Sequence, residues 1–226
     1  MRSVTMLDLK AEYALFRDEI RAVVEETLDG QQFIGGPAIG QLERDMQDRF
    51  GFHNAIAVSS GTDAILCTLM ALGVGAGDEV VLPAFTFFAT AGTVARLGAK
   101  PVFVDIDAGT FNVTPAAVEA AVTSRTRTVI VVHLFGQCAD MDAINAMAAK
   151  RNLAVIEDAA QAIGATYHGR NAGTLGTIGC FSFYPTKNLG GFGEGGLITT
   201  GDAELAAVVR QLRNHGESRR YHHERV

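Results

Sequence analysis

The chain has no tryptophan, only three cysteines among 226 residues, and no excess of positive charge. Each shortage removes a class of protein. Cys67, Cys138 and Cys180 lie far apart in apolar segments. An odd number without a CxxC spacing builds neither a disulfide framework nor a zinc site, which leaves buried free thiols in a reducing compartment. Lys and Arg number 19 against 25 Asp and Glu, a net charge of -6. That balance argues against a general nucleic-acid binder. No run of 18 or more apolar residues is present, so no transmembrane helix is expected. The opening residues, MRSVTMLDLKAEY, carry charge where a signal peptide needs an apolar stretch. The expected location is therefore cytoplasmic. Repeats, linkers and low-complexity tracts are also lacking.

What is present is a core's worth of apolar residues, 48% of the chain, which excludes disorder at so small a net charge. Glycine is abundant, with 25 residues where the average usage gives about 16. Scattered glycines mark turns and close backbone approaches.

Asp8 to Leu28 reads as an amphipathic helix, with Phe16, Ile20, Val23 and Val24 at helical spacing and Gly30 as its stop. A second helix is expected over 39–50. A regular alternation then begins. Strands are expected at 55–59, 79–83, 101–105, 128–134 and 153–158. Helices are expected at 62–72, 86–97, 115–122 and 141–150, with Thr114 as a candidate N-cap. The strands are short, Val/Ile-rich and continuously apolar, as in parallel strands buried on both faces. Strand–helix alternation of this kind predicts a doubly wound α/β fold with a mostly parallel sheet flanked by helices. After Ala160 the rhythm changes. Strands at 180–184 and 197–200 are separated by a glycine-rich loop, and Asp202 caps a helix to about Asn214.

Gly191 to Gly196 matches GxGxxG. The dinucleotide reading needs a strand before it and a helix after it. LITT follows, which is a strand pattern, so the motif reads as a flexible loop beside a functional residue. Ser59-Ser60-Gly61-Thr62-Asp63 is better placed, joining a strand end to a helix start. That is either an ordinary N-cap or an anion site, where free N–H groups and the helix dipole gather. Glu157 and Asp158 end a buried strand, where open α/β sheets bind ligands; a capping role for Asp158 is the alternative. Lys187 sits between apolar strand residues and glycines. It is either a solvated surface group or a Schiff-base nucleophile.

SSGTDAI, PAFTFFATAG, DIDAGTFN, VHLFGQCADMDAI, EDAAQAIGA and FSFYPTKNLGGFGEGG occur in this order. With these motifs the chain resembles the DegT–DnrJ–StrS family of sugar aminotransferases, which have the type I aminotransferase fold. The likeness runs from MLDL at position 6 to the last residue. It implies pyridoxal 5'-phosphate as cofactor, a glutamate donor, a nucleotide-linked keto-sugar acceptor and a homodimer. By position, Lys187 matches the Schiff-base lysine, which also moves a proton between carbon atoms. Asp158 matches the partner of the pyridine nitrogen. Gln161 matches the residue near the phenolic oxygen, and Phe87 the aromatic that stacks on the ring, its other reading being plain core. Gly61, Thr62 and Ser182 match the phosphate ligands. Relatives that act as dehydratases replace the lysine with histidine, so Lys187 favours transamination. The closest likeness is to enzymes acting on 3-keto sugars, particularly UDP-linked hexuronic acid derivatives.

Relatives of this family are longer. The resemblance therefore implies that residues 1–226 are a PLP-binding large domain, with a helical arm over about 1–50, and that a small C-terminal domain lies outside this chain. A truncated or regulatory, non-catalytic PLP-binding protein of the same fold is the alternative. A desulfurase would need a reactive cysteine on a mobile loop, and none of the three thiols has that setting. Arg219, Arg220, His222 and His223 near the end face a diphosphate or carboxylate, or form a solvated loop. No metal site is expected.

Overall fold

The structure, a computed structural model, describes residues 4, 6–219 and 221–224. Arg220 lies outside the described residues. Two helices lead, α1 (Leu9–Gly30) and α2 (Pro37–Phe50). The alternating part follows as β1 (Asn54–Val58), α3 (Gly61–Ala71), β2 (Glu79–Pro83), α4 (Phe88–Arg96), β3 (Lys100–Val104), α5 (Pro115–Ala121), β4 (Thr126–Val132), α6 (Met141–Lys150) and β5 (Ala154–Asp158). A small hairpin, β6 (Thr166–Tyr167) and β7 (Arg170–Asn171), precedes β8 (Ile178–Ser182), β9 (Gly196–Thr200) and α7 (Ala203–Arg213). A second hairpin, β10 (Glu217–Arg219) and β11 (His222–His223), closes the described chain.

Seven strands form one sheet in the order β1-β9-β8-β5-β4-β2-β3. Only β9 runs against its neighbours, β1 and β8. The α/β reading with a mostly parallel sheet therefore holds, as do the five strands and four helices of its alternating part, within a residue or two at most ends.

Each strand sends alternate residues to opposite faces, and each face finds its own helices. Ile56, Leu82, Ile130, Ile156 and Ile198 pack with Ile65 and Leu69 of α3, Val94 of α4 and Val209 of α7. Val81, Val129, Val131 and Val155 pack with Val118 of α5 and Met141, Ile144 and Met147 of α6. Phe181 and Leu197 meet Met46 of α2 and Phe52. Burying one such aliphatic or aromatic side chain contributes about 1.5–3 kcal/mol, so these layers carry the fold. Glu43 ties α2 to β1 and α7. It accepts from the Ala57 N–H at 3.0 Å, Arg210 at 3.0 Å and Arg213 at 2.6 Å.

Three sequence expectations change. Helix α1 forms as expected, with Asp8 accepting from the Ala11 N–H as its cap. Most of its apolar residues nevertheless stay exposed, Phe16 at 50% and Val23 at 58%, while Ile20 is half-buried. Cys180 is buried, but Cys67 and Cys138 are only half-buried. Burial still raises the Cys67 thiol and pushes Cys138 up to about 11, so neither is a reactive thiolate. Both short hairpins were unforeseen. No helix among the described residues is long and apolar enough to cross a membrane.

Candidate active site

The carboxyl ends of β1, β2, β4, β5 and β8 surround a cavity of about 410 Å³. All of the residues singled out by motif line it together: Gly61, Thr62, Phe87, Asp158, Gln161, Ser182 and Lys187. Sequence order keeps these groups up to 126 positions apart, from Gly61 to Lys187. The sheet order brings them to one rim.

The turn after β1 presents a helix start to the cavity. Ser60 caps α3 by accepting from the Asp63 N–H at 3.0 Å, and its carbonyl takes the Ala64 N–H. The N–H groups of Gly61 and Thr62 have no partner within the helix. Only glycine fits at 61, since a Cβ there would lie 2.6 Å from Ser182 Cβ. Ser182 thus stands directly against the helix start. At Gly196, the first residue of β9, a Cβ would run into the Ser60 carbonyl.

Asp158 ends β5 and is only 6% exposed. Its Oδ2 accepts from Thr90 Oγ1 at 2.8 Å and its Oδ1 from the Ala160 N–H at 3.3 Å. Burial raises its pKa, and those two hydrogen bonds with the charge of Lys187 pull the other way. Among the described residues no cation pairs with this carboxylate, so a cationic N–H entering the cavity would meet an acceptor already desolvated. Thr90 was not anticipated. Its signal was available in PAFTFFATAG: Thr86 and Thr90 are one helical turn apart, and their hydroxyls lie 2.8 Å apart.

Glu157 turns to the other face of the strand, as alternation requires. It is fully buried and accepts from the Gly173, Leu175 and Gly176 N–H groups at 2.7, 2.8 and 2.6 Å, with His133 Nε2 at 3.0 Å. His133 Nδ1 accepts from the Ala139 N–H, which leaves the proton on Nε2 to donate to Glu157. The pair is an anchor for the strand end and does not face the cavity.

Gln161 Oε1 accepts from the Phe135 N–H at 2.8 Å. Its amide nitrogen is left to donate into the cavity. Phe87 caps α4 without a side-chain bond and is 72% exposed, so plain core is ruled out for it. Lys187 is half-buried, and its Nζ has no hydrogen-bond or ion-pair partner among the described residues. It rides on the loop between β8 and β9. That loop is pinned where Phe183 N–H donates to the Gly195 carbonyl at 2.8 Å and Gly191 N–H to the Phe183 carbonyl at 2.7 Å. The GxGxxG segment runs into β9 and not into a helix, as its context required. Tyr184, Thr186 and Glu194 also line the cavity and were not foreseen. Arg219, His222 and His223 lie in the exposed terminal hairpin, away from the cavity lining.

Known proteins share this arrangement of elements. The chain is 51% identical over 223 residues to the UDP-2-acetamido-2-deoxy-3-oxo-D-glucuronate aminotransferase of Pseudomonas aeruginosa, covering 99% of this chain and 62% of that protein. It is 53% identical over 221 residues to the pleiotropic regulatory protein of Geobacillus stearothermophilus, covering 98% and 59%. The solved structure of S. venezuelae DesV superposes with a TM-score of 0.96 at 43% identity, over 100% of this chain and 61% of that one. A Bacillus subtilis protein solved with bound cofactor PMP gives 0.87 at 37% identity, over 96% and 49%. The chain therefore spans about 60% of the length of the curated relatives it matches. A family profile matches residues 15–226. On this match, with the sheet and cavity described above, the chain belongs to the DegT/DnrJ/EryC1/StrS aminotransferase family.

Proposed function

We propose that this chain is the PLP-binding large domain of an aminotransferase that moves an amino group from glutamate to a nucleotide-linked keto-sugar. The observation that carries the reading is the convergence of Lys187, Asp158 and the Gly61–Thr62 helix start on one cavity. The residues present suit pyridoxal phosphate. A buried carboxylate without a cation suits the ring nitrogen. A glycine-lined helix start with Thr62 and Ser182 beside it suits the phosphate. An amine without a partner suits the aldehyde carbon.

When bound, the cofactor supplies an electron sink for the pair left as a proton leaves the amino-bearing carbon. Everything else falls to the chain. Asp158 would hold the ring nitrogen, Gly61, Thr62 and Ser182 would hold the phosphate, Phe87 would pack on the ring, and the Gln161 amide would donate to a ring oxygen. Lys187 Nζ would hold the aldehyde end and serve as the amine that takes up and returns the proton. Glutamate leaves as 2-oxoglutarate, and the keto carbon of the acceptor becomes an amino carbon.

The reading includes a cytoplasmic homodimer. The exposed apolar residues of α1 support self-association. A second reading is favoured by one observation: the Geobacillus relative of equal similarity carries a regulatory name. That reading keeps the cofactor and drops the turnover.

Added pyridoxal phosphate should give a visible absorbance band, and borohydride reduction should fix the cofactor mass on Lys187. Glutamate with UDP-linked 3-keto sugars should then yield 2-oxoglutarate. A label on another lysine would overturn the assignment. A label on Lys187 without turnover, in the complete gene product, would favour the regulatory reading.

A further inference from the structure

Three phenylalanines stand at the carboxyl ends of adjacent strands and the catalytic reading does not use them. Phe85 follows β2, Phe111 lies in the turn after β3, and Phe135 follows β4. Ring centroids are 6.0 Å apart for Phe85 and Phe111 and 6.5 Å for Phe111 and Phe135. The rings are tilted by 40° and 72°, so they do not cover one another's faces. They are 50%, 45% and 72% exposed.

Two of the three sit in the left-handed region, Phe111 at φ 60° and Phe135 at φ 55°. Few residues with a Cβ adopt it, and such strain persists where the surroundings hold it. Here they do. The Phe111 N–H donates to the Asp107 carbonyl, and Asp107 Oδ1 accepts from the Gly109 and Thr110 N–H groups at 3.0 and 2.8 Å. Phe135 N–H is held by Gln161. Asn112 Nδ2 donates to the Gln137 carbonyl at 3.0 Å, tying the two turns together. The rings are thus ordered in advance, which lowers the entropic cost of stacking a ligand on them.

The row continues the cavity edge. Thr86 and Leu134, the immediate neighbours of Phe85 and Phe135, line the cavity, as does Phe87 one residue further on. At roughly 200 Å² per ring the exposed area is about 330 Å². That falls short of the roughly 800 Å² per partner that a stable protein interface buries, but it suits a planar heterocycle. We infer that Phe85, Phe111 and Phe135 form the platform that receives the nucleobase of the sugar-nucleotide acceptor. The inference rests on the acceptor class proposed above. Stacking on aromatic faces is strong and tolerant of base identity.

Uridine 5'-diphosphate, titrated into the chain with and without pyridoxal phosphate, is the probe. Phe111→Asn and Phe135→Asn remove a ring while keeping a residue that accepts a positive φ. Phe85→Leu keeps the apolar contact and removes the π-face. Each should weaken uridine diphosphate binding about tenfold, leave inorganic pyrophosphate binding unchanged, and leave the borohydride label on Lys187. Saturation transfer should be strongest at the base protons. Wild-type affinity in all three variants overturns the platform, as does no uridine diphosphate binding to the parent chain. A changed sedimentation coefficient in the variants would put the rings between copies and overturn it too. Loss of the Lys187 label in the parent chain would instead sink the cofactor reading, with the platform still decided by the titration of cofactor-free chain.

Discussion

Thr90 Oγ1 reaches Asp158 Oδ2 across 2.8 Å, joining helix α4 to the buried end of β5. The hydroxyl pulls down the pKa of a carboxylate that burial raises. It also holds that acceptor in place at the cavity edge.

Thr90→Val should therefore leave the shape and remove the donor. A hydrogen bond to a charged group contributes about 1.5–3 kcal/mol, so pyridoxal phosphate should dissociate at least about tenfold more readily. Spectrophotometric titration reads this. Thr90→Ser should restore most of the affinity, and equal weakness in both variants would count against the hydroxyl.

Asp158 itself should trade stability for binding. Its folded-state pKa is raised by burial. The stabilising contribution of such an acid is full below its unfolded value and lost as pH rises through the folded one. Cofactor-free Asp158→Asn should thus be more resistant to heat than the parent chain at neutral pH, with the gap closing in acid. It should also bind pyridoxal phosphate poorly. Melting curves from about pH 3 to about pH 8, a range that takes in the ordinary carboxylate value of about 3.9, test the sign.

Glu79 has the opposite sign. Thr123 Oγ1 donates to it at 2.5 Å and Arg125 Nη2 at 2.6 Å, and Lys100 Nζ lies at 3.2 Å. The Thr123 and Arg125 hydrogen bonds hold its carboxyl down at about 2, from an ordinary 4.5. Its contribution is present above the unfolded value and disappears as pH falls from 4.5 toward 2. Glu79→Gln should flatten acid unfolding in that window, measured by circular dichroism.

Gly61→Ala should fail for want of space. Its Cβ would meet Ser182 Cβ at 2.6 Å, an overpacking that costs about 1–3 kcal/mol. Adding Ser182→Gly should recover thermal stability without recovering cofactor affinity, because the hydroxyl is gone. Recovery of both would place Ser182 outside the phosphate site.

Helix α1 has no buried residue. Val23→Glu with Val24→Glu should accordingly leave the fold intact and abolish self-association in sedimentation velocity. Unchanged sedimentation would move the dimer contact elsewhere.

The parallel part of the sheet was legible because doubly buried strands read as continuous Val/Ile runs between helices, and EVVLP and MDAINAMAAK mark their elements to the residue. The two short hairpins were not. Strands of two or three residues have no periodicity to detect, and the trace of the first was His168-Gly169, whose φ angles of 49° and 78° make its turn. The site residues were legible only as an ordered set of motifs, since the single-residue readings of Asp158 and Lys187 left surface or capping roles open. Thr90 and the Gln161–Phe135 bond depend on side chains meeting across 68 and 26 positions, a relation no local pattern encodes. Glu157 and Asp158 are adjacent acids, and the motifs assign a role only to Asp158. Strand alternation separates them into an anchor and a cavity acid.

Strand β9 runs back beside β8, and Ser182 faces Gly196 across the pair. Gly196 also faces Val58 of β1. Everything between 182 and 196, Lys187 included, is thus a closed excursion whose two feet stand on the middle of the sheet, one foot shared with the turn after β1. Closure entropy grows slowly with loop length. Residues can therefore be added to or removed from the glycine stretch, changing how far the lysine reaches, while the turn after β1 keeps its place.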